Sequence, residues 1–134
     1  MASVALYRCR SIAYIFAIAC VCFANKYKVF TIPHAAAARF MQCYFNDMMG
    51  CAGFLLAVGV VVTFARPVRV RLYQVLLFTL ANGLFWEYVT PLYRTDTTTD
   101  VLDLAAYLFG SLIYWYVLGG RKLQLLNREG AETE

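Results

Sequence analysis

Glu87, Arg94, Asp100, Asp103 and Tyr107 fall close together in a chain that is otherwise poor in charge. Glu87 ends an apolar run, and an ionised carboxylate beside lipid needs a partner or water. Arg94 follows across the Pro91 turn and can offer that carboxylate two parallel hydrogen bonds, so a Glu87–Arg94 clamp is expected. Asp100, after the capping residue Thr99, suits the first turn of a helix, where the dipole favours negative charge. Asp103 lies a turn deeper and needs a partner. The Tyr107 hydroxyl can donate to a carboxylate, although an interior aromatic is an equally good reading of it. Asp47, with Asn46, opens another apolar run in the same way.

These types define a chemistry of recognition. A guanidinium suits phosphate or carboxylate, and acids suit a hydroxyl, an amine or a divalent cation. Glu87 and Asp103 in unequal surroundings would also suit acid/base work. No Ser/Cys–His arrangement, Gly-rich phosphate loop or paired-His motif accompanies them, so no catalytic residue is assigned and an enzyme is the less favoured class. The single histidine, His34, reads as a solvated loop residue. A metal site would need it to join two or more acids, and neither metal nor cofactor is indicated. No cluster of Lys and Arg interleaved with aromatics offers a nucleic-acid surface.

The elements that must position these groups are apolar. Of 134 residues, 62% are hydrophobic and only 15% charged, with mean hydropathy +0.60, too little charge to clothe a water-soluble surface. Four segments stand out, at about 12–26, 48–65, 72–89 and 101–118, followed by a polar tail at 119–134. The first is short, and with its basic start it also has the form of a signal peptide. The links between the last three are brief, so these segments are expected to be antiparallel neighbours. The fold class expected is all-α, a four-span transmembrane bundle with short antiparallel connections. Eight basic residues fall at one face and four at the other, which places both termini in the cytoplasm of an inner, or plasma, membrane. All acids outside the tail, Asp47, Glu87, Asp96, Asp100 and Asp103, then gather at the outer face.

Packing is expected along a stripe of Asp100, Asp103, Tyr107, Gly110 and Tyr114, with Leu102, Leu104, Leu108 and Ile113 turned to lipid. Gly110 would admit a close neighbour, and Gly53 with Ala57 forms a small-xxx-small pattern. Gln74 and Asn82 read as interhelical hydrogen-bonding groups. Most of the five cysteines, Cys9, Cys20, Cys22, Cys43 and Cys51, read as small buried hydrophobes.

The stretch from Glu87 to Gly110, EYVTPLYRTDTTTDVLDLAAYLFG, resembles the VanZ-like membrane proteins, named after a teicoplanin-resistance factor. That family ends a span on Glu, passes an Arg in a short outer loop, and opens the last span with Asp and a Gly seven residues later. Glu87, Arg94, Asp103 and Gly110 match those positions, and Asn46–Asp47 resembles a further polar element of some short members. Tyr107 stands where the family often has Asn, and Thr90–Pro91 where many members have Gln. If the family's site works through those amides, its activity here is lost or altered. The resemblance implies an envelope protein of about four spans.

The function expected is binding of a lipid headgroup, an envelope glycan carrier or a partner protein at the charged outer face. The alternatives are an accessory subunit whose charges only fasten helix ends, a membrane-embedded acid/base enzyme, and an oligomeric transporter. Expected partners are membrane lipid, then another membrane protein or a second copy.

Overall fold

The computed structural model describes residues 2–28, 33–64, 70–89, 92–93 and 101–121, and every regular element among them is helical. In order these are α1 (Ala2–Lys26), α2 (Ala35–Cys43), α3 (Phe45–Val62), α4 (Leu72–Leu84) and α5 (Val101–Ile113). The last two continue through π-helical turns, Phe85–Val89 after α4 and Tyr114–Leu118 after α5. Three stretches are long and apolar enough to cross a membrane: Val4–Lys26, Phe45–Val62 and Val101–Leu118. The run from Leu72 to Val89 is not among them; Gln74, Asn82 and Glu87 dilute it.

The distribution of apolar side chains is consistent with a membrane protein. A small core gathers Ala52, Leu55, Leu56, Val75, Tyr114 and Trp115. Phe16, Phe64 and Val117 stay about 70% exposed, with Ile12, Leu77 and Phe109 among many others on the outside. An apolar surface this extensive suits lipid, against which helix contact is driven by close packing rather than by expulsion of water.

α1 begins ten residues before the segment expected from the sequence, because Arg8 and Arg10 are accommodated within the helix rather than stopping it. Arg8 reaches the end of α3, where Nε donates to Thr63 Oγ1 at 2.8 Å and Nη2 to the Thr63 carbonyl at 2.7 Å. Its guanidinium also lies 3.7 Å from the Phe64 ring centroid. A cation there meets the negative end of the α3 dipole and satisfies a carbonyl left over by the helix. Arg8→Ala is expected to lower stability in detergent by about 1–2 kcal/mol. Arg10→Ala, which loses one exposed bond to Tyr14, is expected to be near neutral. A denaturing-detergent titration followed by circular dichroism measures both.

At the opposite end, Asn25 Nδ2 donates to the Met41 carbonyl at 2.6 Å and to Asn46 Oδ1 at 2.9 Å, tying α1 and α2 to the start of α3. With Arg8 at one end and Asn25 at the other, α1 runs antiparallel to α3. The short helix α2 falls where a loop was expected. It follows Pro33 and His34, and its Phe40 meets the Tyr44 ring one turn on.

α3 carries most of the packing, against α1 and α5, and α5 links α3 to α4. α5 lies against α3 on one side and α4 on the other, whereas α3 and α4 share few contacts. The brief link between α3 and α4 makes them antiparallel without making them close neighbours, a correction to the expectation from chain order. Gly110 permits this arrangement, since a Cβ there would strike the Met48 carbonyl oxygen and lie 3.1 Å from Cys51 Cβ. Leu104, expected to face lipid, instead packs on Gly83: an added Cβ at Gly83 would lie 2.7 Å from Leu104 Cδ1. Leu104 lies on the α4 side of α5, while Val101, Leu102 and Phe109 stay exposed.

Other expectations also change. Gly53 faces Ile18 of α1, but Ala57 is exposed, so the close approach at Gly53 does not extend a turn further. Ala52, Leu56 and Gly59 make the buried face of α3. Gln74 accepts the Arg71 backbone N–H at 2.8 Å, and Asn82 donates to the Phe78 carbonyl at 2.8 Å. Both amides therefore serve their own helix. None of the five cysteines is fully buried, and all are free; Cys9, Cys20 and Cys43 are exposed.

Candidate functional site

Asp47, Glu87, Asp103 and Tyr107 meet at the end of the bundle where α3 and α5 begin and α4 finishes. The π-helical turn at 85–89 widens the last turn of the α4 run, a distortion common at functional sites. Within it Glu87 is buried, at 8% exposure, while Phe85, Trp86 and Tyr88 point out. The Tyr107 hydroxyl donates to Glu87 Oε1 at 3.2 Å. This joins α4 to α5 through a donor offered to a carboxylate. Asp47 and Asp103 lie within electrostatic reach of the same hydroxyl.

The loose seam between α3 and α4 opens beside this cluster as a groove of about 490 Å³. Asn46, Asp47, Asn82 and Tyr107 line its polar end, and Phe54, Leu55, Phe78, Phe85 and Trp86 supply most of its apolar wall. The volume lies in the range of small-molecule sites. The Phe54 and Phe78 rings stack across the seam, 6.1 Å between centroids and 6° from parallel. Beyond them a second hollow of about 290 Å³, lined by Val58, Val62, Gln74 and Val75 among others, continues toward the other end.

Thr79 lies in the wall of the larger groove. It is 3% exposed, and its hydroxyl has no hydrogen-bond partner. Nearby, the Cys51 thiol donates to the Tyr107 carbonyl at 3.2 Å, an extra bond to α5 next to the Gly110 contact. No known family, curated protein or solved structure matches the chain. The site is therefore read from its own geometry.

Of the residues singled out in the sequence, Asp47 and Tyr107 line the groove, Glu87 stands behind Tyr107, and half-buried Asp103 lies one turn before Tyr107 on α5. Arg94 and Asp100 lie outside the described residues, and with them the expected Glu87–Arg94 clamp. His34 is exposed beside α2, and among the described residues no group of three or more His, Cys, Asp or Glu side chains is placed to hold a metal ion. Thr79 and the aromatic wall went unnoticed in the sequence. Thr79, Asn82 and Trp86 recur at helical spacing along one face, which is the signal that would have found them.

Proposed function

We propose that this chain is an integral protein of the cell-envelope membrane, with four spans and VanZ-like in character, that binds a membrane amphiphile. The observation carrying this reading is the lateral groove between α3 and α4, with its apolar wall and its acidic, amide-bearing end. An amphiphile entering sideways from the bilayer would lay its chain against Phe54, Phe78 and Trp86 and its head against Asp47, Asn46 and Tyr107. The run from Leu72 to Val89 serves as the third of the four spans, with its polar residues turned to the groove or to α5. The inner or plasma membrane with both termini cytoplasmic agrees best with the eight-to-four division of basic residues.

Trp86 makes the reading testable. The full chain in vesicles containing phospholipids with brominated acyl chains is expected to show quenching of indole emission, and Trp86→Phe reports how much of it comes from the groove. Gly50 lines the groove with nothing within 4 Å of a Cβ added there, so a leucine at this position starts into open space and adds bulk to the groove. Gly50→Leu is expected to reduce the Trp86 share of quenching at least twofold while helical content is unchanged. Quenching that is the same in both proteins would defeat the groove as a lipid site.

A purely structural role for the charges is the second reading, favoured by the Tyr107–Glu87 bond, which fastens two helix ends. It predicts that Tyr107→Phe weakens folding and leaves the Trp86 signal unaltered.

A further inference from the structure

We propose that α2 and the last turn of α1 seat in the headgroup layer of an anionic phospholipid membrane. The inference rests on the reading of this chain as a membrane protein and is independent of the groove. Alone among the described helices, α2 buries no residue. Its sequence is two-faced all the same: Ala37, Phe40 and Met41 recur at helical spacing, with Arg39 and Gln42 on the other side. The bundle uses only part of the apolar face. Ala38 and Met41 are partly covered, whereas Ala37 is exposed and Phe40 stays 45% exposed. A short helix left in this state suits a medium that takes apolar side chains on one side and charge on the other. The boundary between headgroups and acyl chains is such a medium.

The place of α2 in the fold supplies that boundary. Val4–Lys26 and Phe45–Val62 are long and apolar enough to cross a membrane, and α2 lies between the end of one and the start of the other. Asn25 binds both the Met41 carbonyl and Asn46, so Met41 stands level with both ends. Aromatic rings gather there, as they do at membrane interfaces: Phe23 with Tyr27, 4.5 Å between centroids, and Phe40 with Tyr44, at 6.2 Å. The charge selects the lipid. Lys26, Lys28 and Arg39 are all exposed, and neither α1 nor α2 contains an acid. The described acids of this end, Asp47, Glu87 and Asp103, stand on α3, the α4 run and α5. Basic residues beside an anionic leaflet each strengthen attachment, and their stems can lie on apolar surface while the heads reach phosphate.

The experiment introduces an indole by Phe40→Trp into the full chain carrying Trp86→Phe; the Trp86→Phe protein alone gives the signal of buried Trp115. Vesicles of phosphatidylcholine are compared with vesicles that also contain phosphatidylglycerol, and flotation after an alkaline wash reports insertion separately. In the anionic vesicles the new indole is expected to be quenched more by acyl chains brominated near the carboxyl end than by chains brominated near the methyl end. Aqueous acrylamide is expected to quench it about twofold less there than in phosphatidylcholine. Arg39→Gln is expected to remove most of that difference. An indole open to acrylamide in both vesicles and untouched by bromine would overturn the seating of α2. Protection from both quenchers would overturn it too, and would put protein rather than lipid over the helix. Equal behaviour in the two vesicles would overturn the anionic preference. A chain that does not float would defeat the membrane reading itself.

Discussion

Gly110→Ala is expected to lower stability by about 3 kcal/mol, the largest loss from so small a change anywhere in the described chain. The new methyl would collide with the Met48 carbonyl oxygen and crowd Cys51 Cβ at 3.1 Å. A backbone carbonyl within a helix cannot step aside like the end of a side chain, so the whole of α3 must retreat from α5. Alanine gains about 1 kcal/mol over glycine in a helix, and that gain is too small to offset the separation. Gly53→Ala is the control. Its methyl would meet Ile18 Cγ2 at 3.4 Å and Cδ1 at 3.9 Å, ordinary contact distances, so the propensity gain should survive and the variant should be neutral or slightly more stable. Unfolding titrations in mixed micelles compare the two. Equal losses would show that α3 and α5 are not held by this contact.

Leu56→Ala is expected to be comparably damaging, at about 3 kcal/mol. Leu56 is fully buried and sits in the cluster with Ala52, Leu55, Val75, Tyr114 and Trp115. Removing three carbons leaves a void that the surrounding rings cannot readily close, and the dispersion contacts on every side are lost. Lipid cannot replace those contacts, since the cavity does not open to the outside. Phe54→Ala removes more atoms from a residue that is 50% exposed, and it is expected to lose less stability while disturbing the groove. The same titration ranks the two. A larger loss at Phe54 would mean that the ring stack with Phe78, rather than the core, holds the bundle together.

The apolar segments were legible because lipid leaves few ways to write a helix that spans it. The start of α1 was not, since Arg8 reads as a boundary until its partner Thr63 is known, and that partner lies 55 residues away. α2 was hidden by Pro33 and by its length, nine residues of low apolarity that open on a run of alanines. That the Tyr107 hydroxyl serves a carboxylate was one of two readings its type allowed, but the choice of Glu87 was not legible, since Arg94 reads as the nearer complement of that acid. The groove was not legible either, because chain order argues that α3 and α4 should pack together. Only the crowded contact at Gly110 reveals that α5 takes that place. Thr79 looks like any membrane threonine until its hydroxyl is found with no partner.

That order of packing bears on how the chain is made. Among the described residues the α4 run is the one long helical run that falls short of a membrane span by length and composition, and the helix it packs on most, α5, follows it in the sequence. While the ribosome is still producing α5, Glu87 has no Tyr107 to bind and Gly83 has no Leu104 to cover it. α4 is then expected to linger in the insertion machinery, or half within the interface, until its successor arrives. α5 thus acts as an internal chaperone for the helix before it, and α4 finds its packing partner only once α5 has been made.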